Sequence, residues 1–78
     1  NTSMSCYYDG SSIKIVFSKA LYVSKVEVFS VLGRVMFVNE INDTDDDITV
    51  KIKGLNSGVY IVKIYNIGKI YNVKLIIP

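Results

Sequence analysis

Apolar residues recur at every second position along almost the whole chain: Ile13, Ile15 and Phe17, then Val26 and Val28, then Ile48, Val50 and Ile52, then Tyr60, Val62 and Ile64. A side-chain period of two is the signature of a strand with one buried face, and no segment shows the 3.6-residue period of an amphipathic helix. The pattern restricts the chain to an all-β fold.

Turn chemistry divides the alternation into strands over Met4–Tyr8, Ser12–Phe17, Lys25–Ser30, Val35–Asn39, Ile48–Ile52, Val59–Tyr65 and Ile70–Ile77. Asp9-Gly10-Ser11 reads as a hairpin turn, Gly33 as a left-handed position, and Gly54–Gly58 and Asn66-Ile67-Gly68 as further corners. Ser18–Tyr22 reads as a connection of undefined conformation, and Asn42–Asp47 as a polar loop. Seven short strands at about ten-residue spacing predict a seven-stranded antiparallel sandwich. At 78 residues the chain is one domain, and such a domain buries only about 60–65% of the surface its unfolded chain exposes. Asn1–Ser3 reads as a linker remnant and residues 4–78 as the domain.

Within the corner Leu55-Asn56-Ser57-Gly58-Val59-Tyr60, Leu55 is expected to plug the core and Gly58 to bend the backbone into the next strand. Tyr60, Val62 and Ile64 share the face predicted to be buried, with the Tyr60 hydroxyl at a polar edge. In the last strand, Leu75 and Ile77 fall on one face and Lys74 and Ile76 on the other.

The composition excludes most chemistry. There is no histidine, which removes the commonest general base and metal ligand, and the single cysteine, Cys6, allows neither an intrachain disulfide nor a thiolate zinc site. Cys6 is expected to serve as a small hydrophobe. No phosphate-cradling glycine loop leads into a helix. The chain is therefore read as non-catalytic, without metal or cofactor. A net charge of +2 gives no case for nucleic acid. The charge is nonetheless segregated: Glu40, Asp43, Asp45, Asp46 and Asp47 form an acidic run, and from Ile48 onward there are lysines and no acid. The acidic run lacks the glycine and distal glutamate of an EF-hand loop and reads as a solvated segment. Tyr7, Tyr8, Tyr22, Tyr65 and Tyr71 are better explained by cross-strand packing than by sugar stacking. No apolar run approaches the roughly 20 residues of a membrane-spanning helix. No secretory signal is visible, so an exported protein would carry it upstream, or this domain would itself be the signal.

Two blocks exceed generic β patterning. One is Lys25-Val26-Glu27-Val28-Phe29-Ser30-Val31-Leu32-Gly33-Arg34-Val35; the other runs from Ile48 to Ile77, with Leu55-x-x-Gly58-Val59-Tyr60-Ile61-Val62 at its centre and Lys74-Leu75-Ile76-Ile77 near its end. In order and spacing the chain from about Ser12 to Ile77 resembles the C-terminal sorting domains of type IX secretion cargo in Gram-negative bacteria. The resemblance implies a non-catalytic, seven-stranded immunoglobulin-like sandwich fused behind a cargo domain. It implies passage from the periplasm through the outer-membrane translocon to the surface or beyond. It also implies removal by a surface sortase of the cysteine-protease type, often with attachment of the cargo to anionic lipopolysaccharide. Gly33, Leu55, Gly58 and Tyr60 match the residues that shape the family fold, and Lys74, Leu75, Ile76, Ile77 and Pro78 fall on the terminal segment the machinery is expected to read. Pro78 departs from the basic or polar residue that ends many members. The scissile bond is expected before Asn1 or within Asn1–Ser3. A last strand rich in isoleucine and leucine is also a candidate edge for pairing with an acceptor sheet or a second copy. The alternative reading is an immunoglobulin-like accessory module for adhesion or carbohydrate binding.

Overall fold

The computed structural model describes residues 2–78, so the expected linker residue Asn1 lies outside the described residues. Five antiparallel strands form one curled sheet: β1 (Met4–Tyr8), β2 (Ser12–Ser30), β3 (Val35–Lys51), β4 (Gly58–Asn66) and β5 (Lys69–Ile77). The all-β expectation holds. The sheet differs from a seven-stranded sandwich because β2 and β3 do not break where the sequence pattern breaks. Ser18–Tyr22 lies within β2, and the acidic segment continues β3, pairing Asp45 with Leu21, Thr44 with Tyr22 and Asp43 with Val23. Backbone pairing needs no alternating apolar residues, so a strand exposed to water can lack the signal that marks a half-buried one. Register shifts between Val16 and Leu21 and between Val23 and Lys25 bend the β2–β3 ribbon there, and Asn42 takes a positive φ of 51°.

β2 is the organising strand. Its first half pairs with β1 (Ile15 opposite Cys6) and with the end of β3 (Ile13 opposite Val50). Its second half pairs with the start of β3 (Glu27 opposite Val38) and with β4 (Val28 opposite Val62), and β4 pairs in turn with β5. The bend in the long strands folds the first half over the second. Ile13, Ile15, Phe17, Ile48 and Val50 thereby meet Val23, Val26, Val28, Tyr60, Val62, Ile64 and Leu75 in one buried core. Their alternation in the sequence is this burial.

Curling brings β1 against β5. No ladder joins the two strands; the Cys6 thiol points at the Lys74 carbonyl oxygen, 3.7 Å away. Just before β1, Ser3 and Ser18 exchange hydrogen bonds. The first turn is fixed by Asp9, whose carboxylate accepts the backbone N–H groups of Ser11 and Ser12 at 3.0 and 2.8 Å. Those two donors hold its pKa below the ordinary value.

Candidate functional site

The residues singled out from the sequence gather at one end of the sheet. The corner at Gly58 and the closing strand are direct partners: Gly58 lies opposite Ile77, Val59 opposite Ile76 and Tyr60 opposite Leu75. Tyr60 also lies opposite Ser30, the last residue before the β2–β3 turn that contains Gly33. The turn, the start of β4 and the end of β5 therefore share an edge of the molecule.

Each matched residue has a definable local role. Gly33 closes the β2–β3 turn at φ 87°, donating its N–H to the Ser30 carbonyl at 2.9 Å. Gly58 begins β4 at φ 149°, a conformation that a side chain disfavours although the surrounding space is open. Leu55 is half-buried and packs against the core. The Tyr60 ring is buried, and its hydroxyl donates to the Asn56 carbonyl at 2.8 Å, anchoring the corner to the strand it introduces.

β5 divides its residues by face. Leu75 is fully buried and Ile77 half-buried against the core, whereas Lys74 and Ile76 face solvent. Pro78 follows the strand, and its carbonyl accepts a 2.8 Å hydrogen bond from the Ser57 hydroxyl. Ser57 was not distinguished by the sequence; any small polar residue is at home in a turn, and its reach to Pro78 exists only because Gly58 is paired with Ile77. The sequence marks Tyr8 only as packing. Its hydroxyl proton is shared between the Gly10 and Ile52 carbonyls at 3.0 and 2.9 Å, so it ties the first hairpin to the segment leading into the corner.

No catalytic geometry accompanies these residues. Cys6 is half-buried, and burial pushes its thiol pKa up, away from the reactive thiolate. The carboxylates of Asp43 and Asp45 accept backbone N–H groups of their own neighbours, and among the described residues no three potential ligands converge on a metal position. On the outer face of the β2–β4–β5 sheet, the Tyr65 hydroxyl donates to Glu27 at 2.5 Å, and the Lys25 ammonium lies 3.5 Å from the same carboxylate and 4.6 Å from the Tyr65 ring centroid. This cluster is a structural network at the end of the sheet away from the β2–β3 turn. No helix of the described residues is long and apolar enough to cross a membrane.

The family model for the secretion system C-terminal sorting domain covers residues 10–78, from the first turn through the closing strand, leaving β1 outside the matched region. Neither a curated protein nor a solved structure matches significantly. With the corner, the turn and the closing strand inside the match, the chain belongs to the C-terminal sorting domains of the type IX secretion system, which are non-catalytic signals for secretion to the cell surface or outside.

Proposed function

We propose that this domain is the sorting signal of a fused cargo protein, read by the outer-membrane translocon through the closing segment Lys74–Pro78 during transit from the periplasm. The observation that carries the reading is the split face of β5. Leu75 and Ile77 hold the strand to the core, while Lys74 and Ile76 are left free on the same strand, with Ile76 62% exposed. A strand anchored on one face can present the other without unfolding. Gly33, Leu55, Gly58 and Tyr60 serve this presentation as the frame that fixes the strand's end. On the same reading a sortase-like cysteine protease then removes the domain and transfers the cargo to anionic lipopolysaccharide, cutting before Asn1 or within Asn1–Ser3. The immunoglobulin-like reading of the sheet draws support from the register shifts along β2 and β3, which interrupt both long strands.

Removing Lys74–Pro78 also removes the buried Leu75, so deletion tests folding and recognition together. Outward substitutions separate them. Residues 1–78 are appended to a reporter bearing a signal peptide in a type IX-competent strain. The wild-type fusion is expected at the surface or in the medium, with a new reporter C-terminus detectable by mass spectrometry. The Lys74→Glu, Ile76→Ser variant is expected to melt with the wild type and to lose about tenfold in export, the equivalent of about 1.4 kcal/mol of recognition. Wild-type-like export of that folded variant overturns terminal recognition. A folded wild-type fusion that stays in the periplasm overturns the sorting role.

A further inference from the structure

The β2–β3 turn carries an apolar cluster that the core does not use. Leu32 is 93% exposed at its tip, Val31 68%, and Val35 and Met36 remain exposed where β3 begins. Scattered exposed aliphatics are ordinary, but a contiguous group of them marks an interaction surface. Leu32 and Met36, with Ser30, Gly33 and Arg34, also line an open depression of about 550 Å³.

The cluster is continuous with the end of the closing strand. Val35 lies opposite Phe29, Phe29 opposite Ile61 and Ile61 opposite Lys74, so one solvent-facing row crosses the sheet from the turn to β5. The adjacent pair, Val59 with Ile76, extends it toward the end of the sheet. Three cations border this strip, Arg34 at the turn, Lys74 on β5, and Lys63, whose ammonium sits 5.0 Å from the Phe29 ring centroid, against one acid, Glu27. Glu27 lies opposite Lys63 and is held by the Tyr65 hydroxyl and Lys25 on the side away from the turn, which leaves Arg34 and Lys74 without an acidic neighbour across the strand pairs named here. Glu40, Asp43, Asp45 and Asp47 pair with β2 residues beyond it, toward the opposite end.

We propose that the Val31–Met36 hairpin tip is a second contact surface of the sorting signal, one that docks into an apolar groove bordered by carboxylates on a protein of the secretion machinery. The proposal rests on the sorting function stated above. It makes the signal composite: the closing strand and a turn some forty residues earlier in the chain are read together, because the fold sets them at one end. The excess of cations at the border, with Arg34 and Lys74 nearest the tip and the strand end, selects an acidic rim on the partner. A concave depression beside a protruding leucine suits a contoured protein surface, which a bilayer does not offer.

The reporter fusion tests this with the closing strand left intact. Val31→Thr, Leu32→Ser, Val35→Thr is expected to keep the wild-type melting temperature and to lower export about tenfold. Ile67→Ser, Ile70→Thr, which removes comparable exposed surface at the opposite end, is expected to be exported normally. Arg34→Glu is expected to impair export more than Arg34→Gln, as an acidic rim requires. If the triple variant melts early, Leu32→Ser alone carries the test, since that side chain is almost entirely in solvent. Unimpaired export of the folded hairpin variant, alongside a working wild type, overturns this inference and leaves terminal recognition standing. A wild-type fusion that is not exported overturns both. Binding of the purified domain to phosphatidylglycerol–phosphatidylethanolamine vesicles that Leu32→Ser abolishes assigns the tip to a membrane surface and overturns the protein partner. So does a dimer in sedimentation that the same substitution dissociates.

Discussion

Glu27 and Tyr65 show how much a single pair can contribute on an otherwise open sheet face. The Tyr65 hydroxyl, and secondarily Lys25, stabilise the Glu27 carboxylate and lower its pKa below the ordinary 4.5; the same hydrogen bond raises Tyr65 above its ordinary 10.0. The lowered carboxylate contributes stability that is present above about pH 4.5 and is lost as pH falls through its folded value. The raised phenol contributes stability that is present below about pH 10 and is lost as pH rises through its folded value. Glu27→Gln is therefore expected to flatten both limbs of a plot of melting temperature against pH, with little change elsewhere on the curve. Gly58 illustrates a different limit. Its φ of 149° penalises any side chain even though nothing stands in the way of a Cβ, so Gly58→Ala is expected to cost about 1–3 kcal/mol in urea denaturation. Tyr60→Phe keeps the buried ring and loses only the bond to Asn56, for an expected cost of about 1 kcal/mol in the same measurement.

At the scale of elements, the free edges are treated differently. Among the described residues β3 pairs only with β2, and its outer edge carries Asp43, Asp45, Asp46 and Asp47. Charged side chains on an exposed edge oppose pairing with another chain. Replacing Asp43, Asp45 and Asp47 by Thr is expected to leave the urea midpoint nearly unchanged, since these side chains are exposed, while producing concentration-dependent association in sedimentation velocity. Among the same described residues β5 pairs only with β4, but it carries lysines and no acid, and β1 lies beside it without a ladder. The edge that ends the signal is thus packed against a neighbour yet not hydrogen-bonded to it. The edge carrying the acids is the one kept away from partners.

For the molecule as a whole, one core joins both halves of the curled sheet, and β2 contributes to every part of it. The radius of gyration of 11.6 Å agrees with the about 11.5 Å expected of a compact chain of this length. A single core with one organising strand should unfold in one step. Ile64, fully buried in β4, provides the test: Ile64→Ala is expected to lower stability by about 2–5 kcal/mol, with tyrosine fluorescence and far-UV circular dichroism remaining coincident. Non-coincident transitions would mean that the β1-bearing half melts separately. Because a domain of this size has only about 4–12 kcal/mol in total, that substitution is also expected to reduce export through misfolding, unlike the outward variants of β5 and the hairpin.

The sequence alone determined the strand class, the inward faces and the glycine-containing turns, because each is a local rule. Alternation at Ile13–Phe17 or Tyr60–Ile64 needs only a period of two, and Gly33 and Gly58 announce backbone conformations that other residues resist. It also marked the corner and the closing strand from which the family could be read. It could not show that β2 and β3 run on through Ser18–Tyr22 and Asn42–Asp47, since pairing there is made by backbone groups common to every residue. Nor could it bring Ser57 to Pro78, Cys6 to Lys74, or the exposed Val31–Met36 tip to the same end as Ile76. Those proximities depend on the order β3–β2–β4–β5 and on the bend in its longest strands. Only the tertiary structure decides such placements, because the side chains involved carry no local signal of who their neighbours will be.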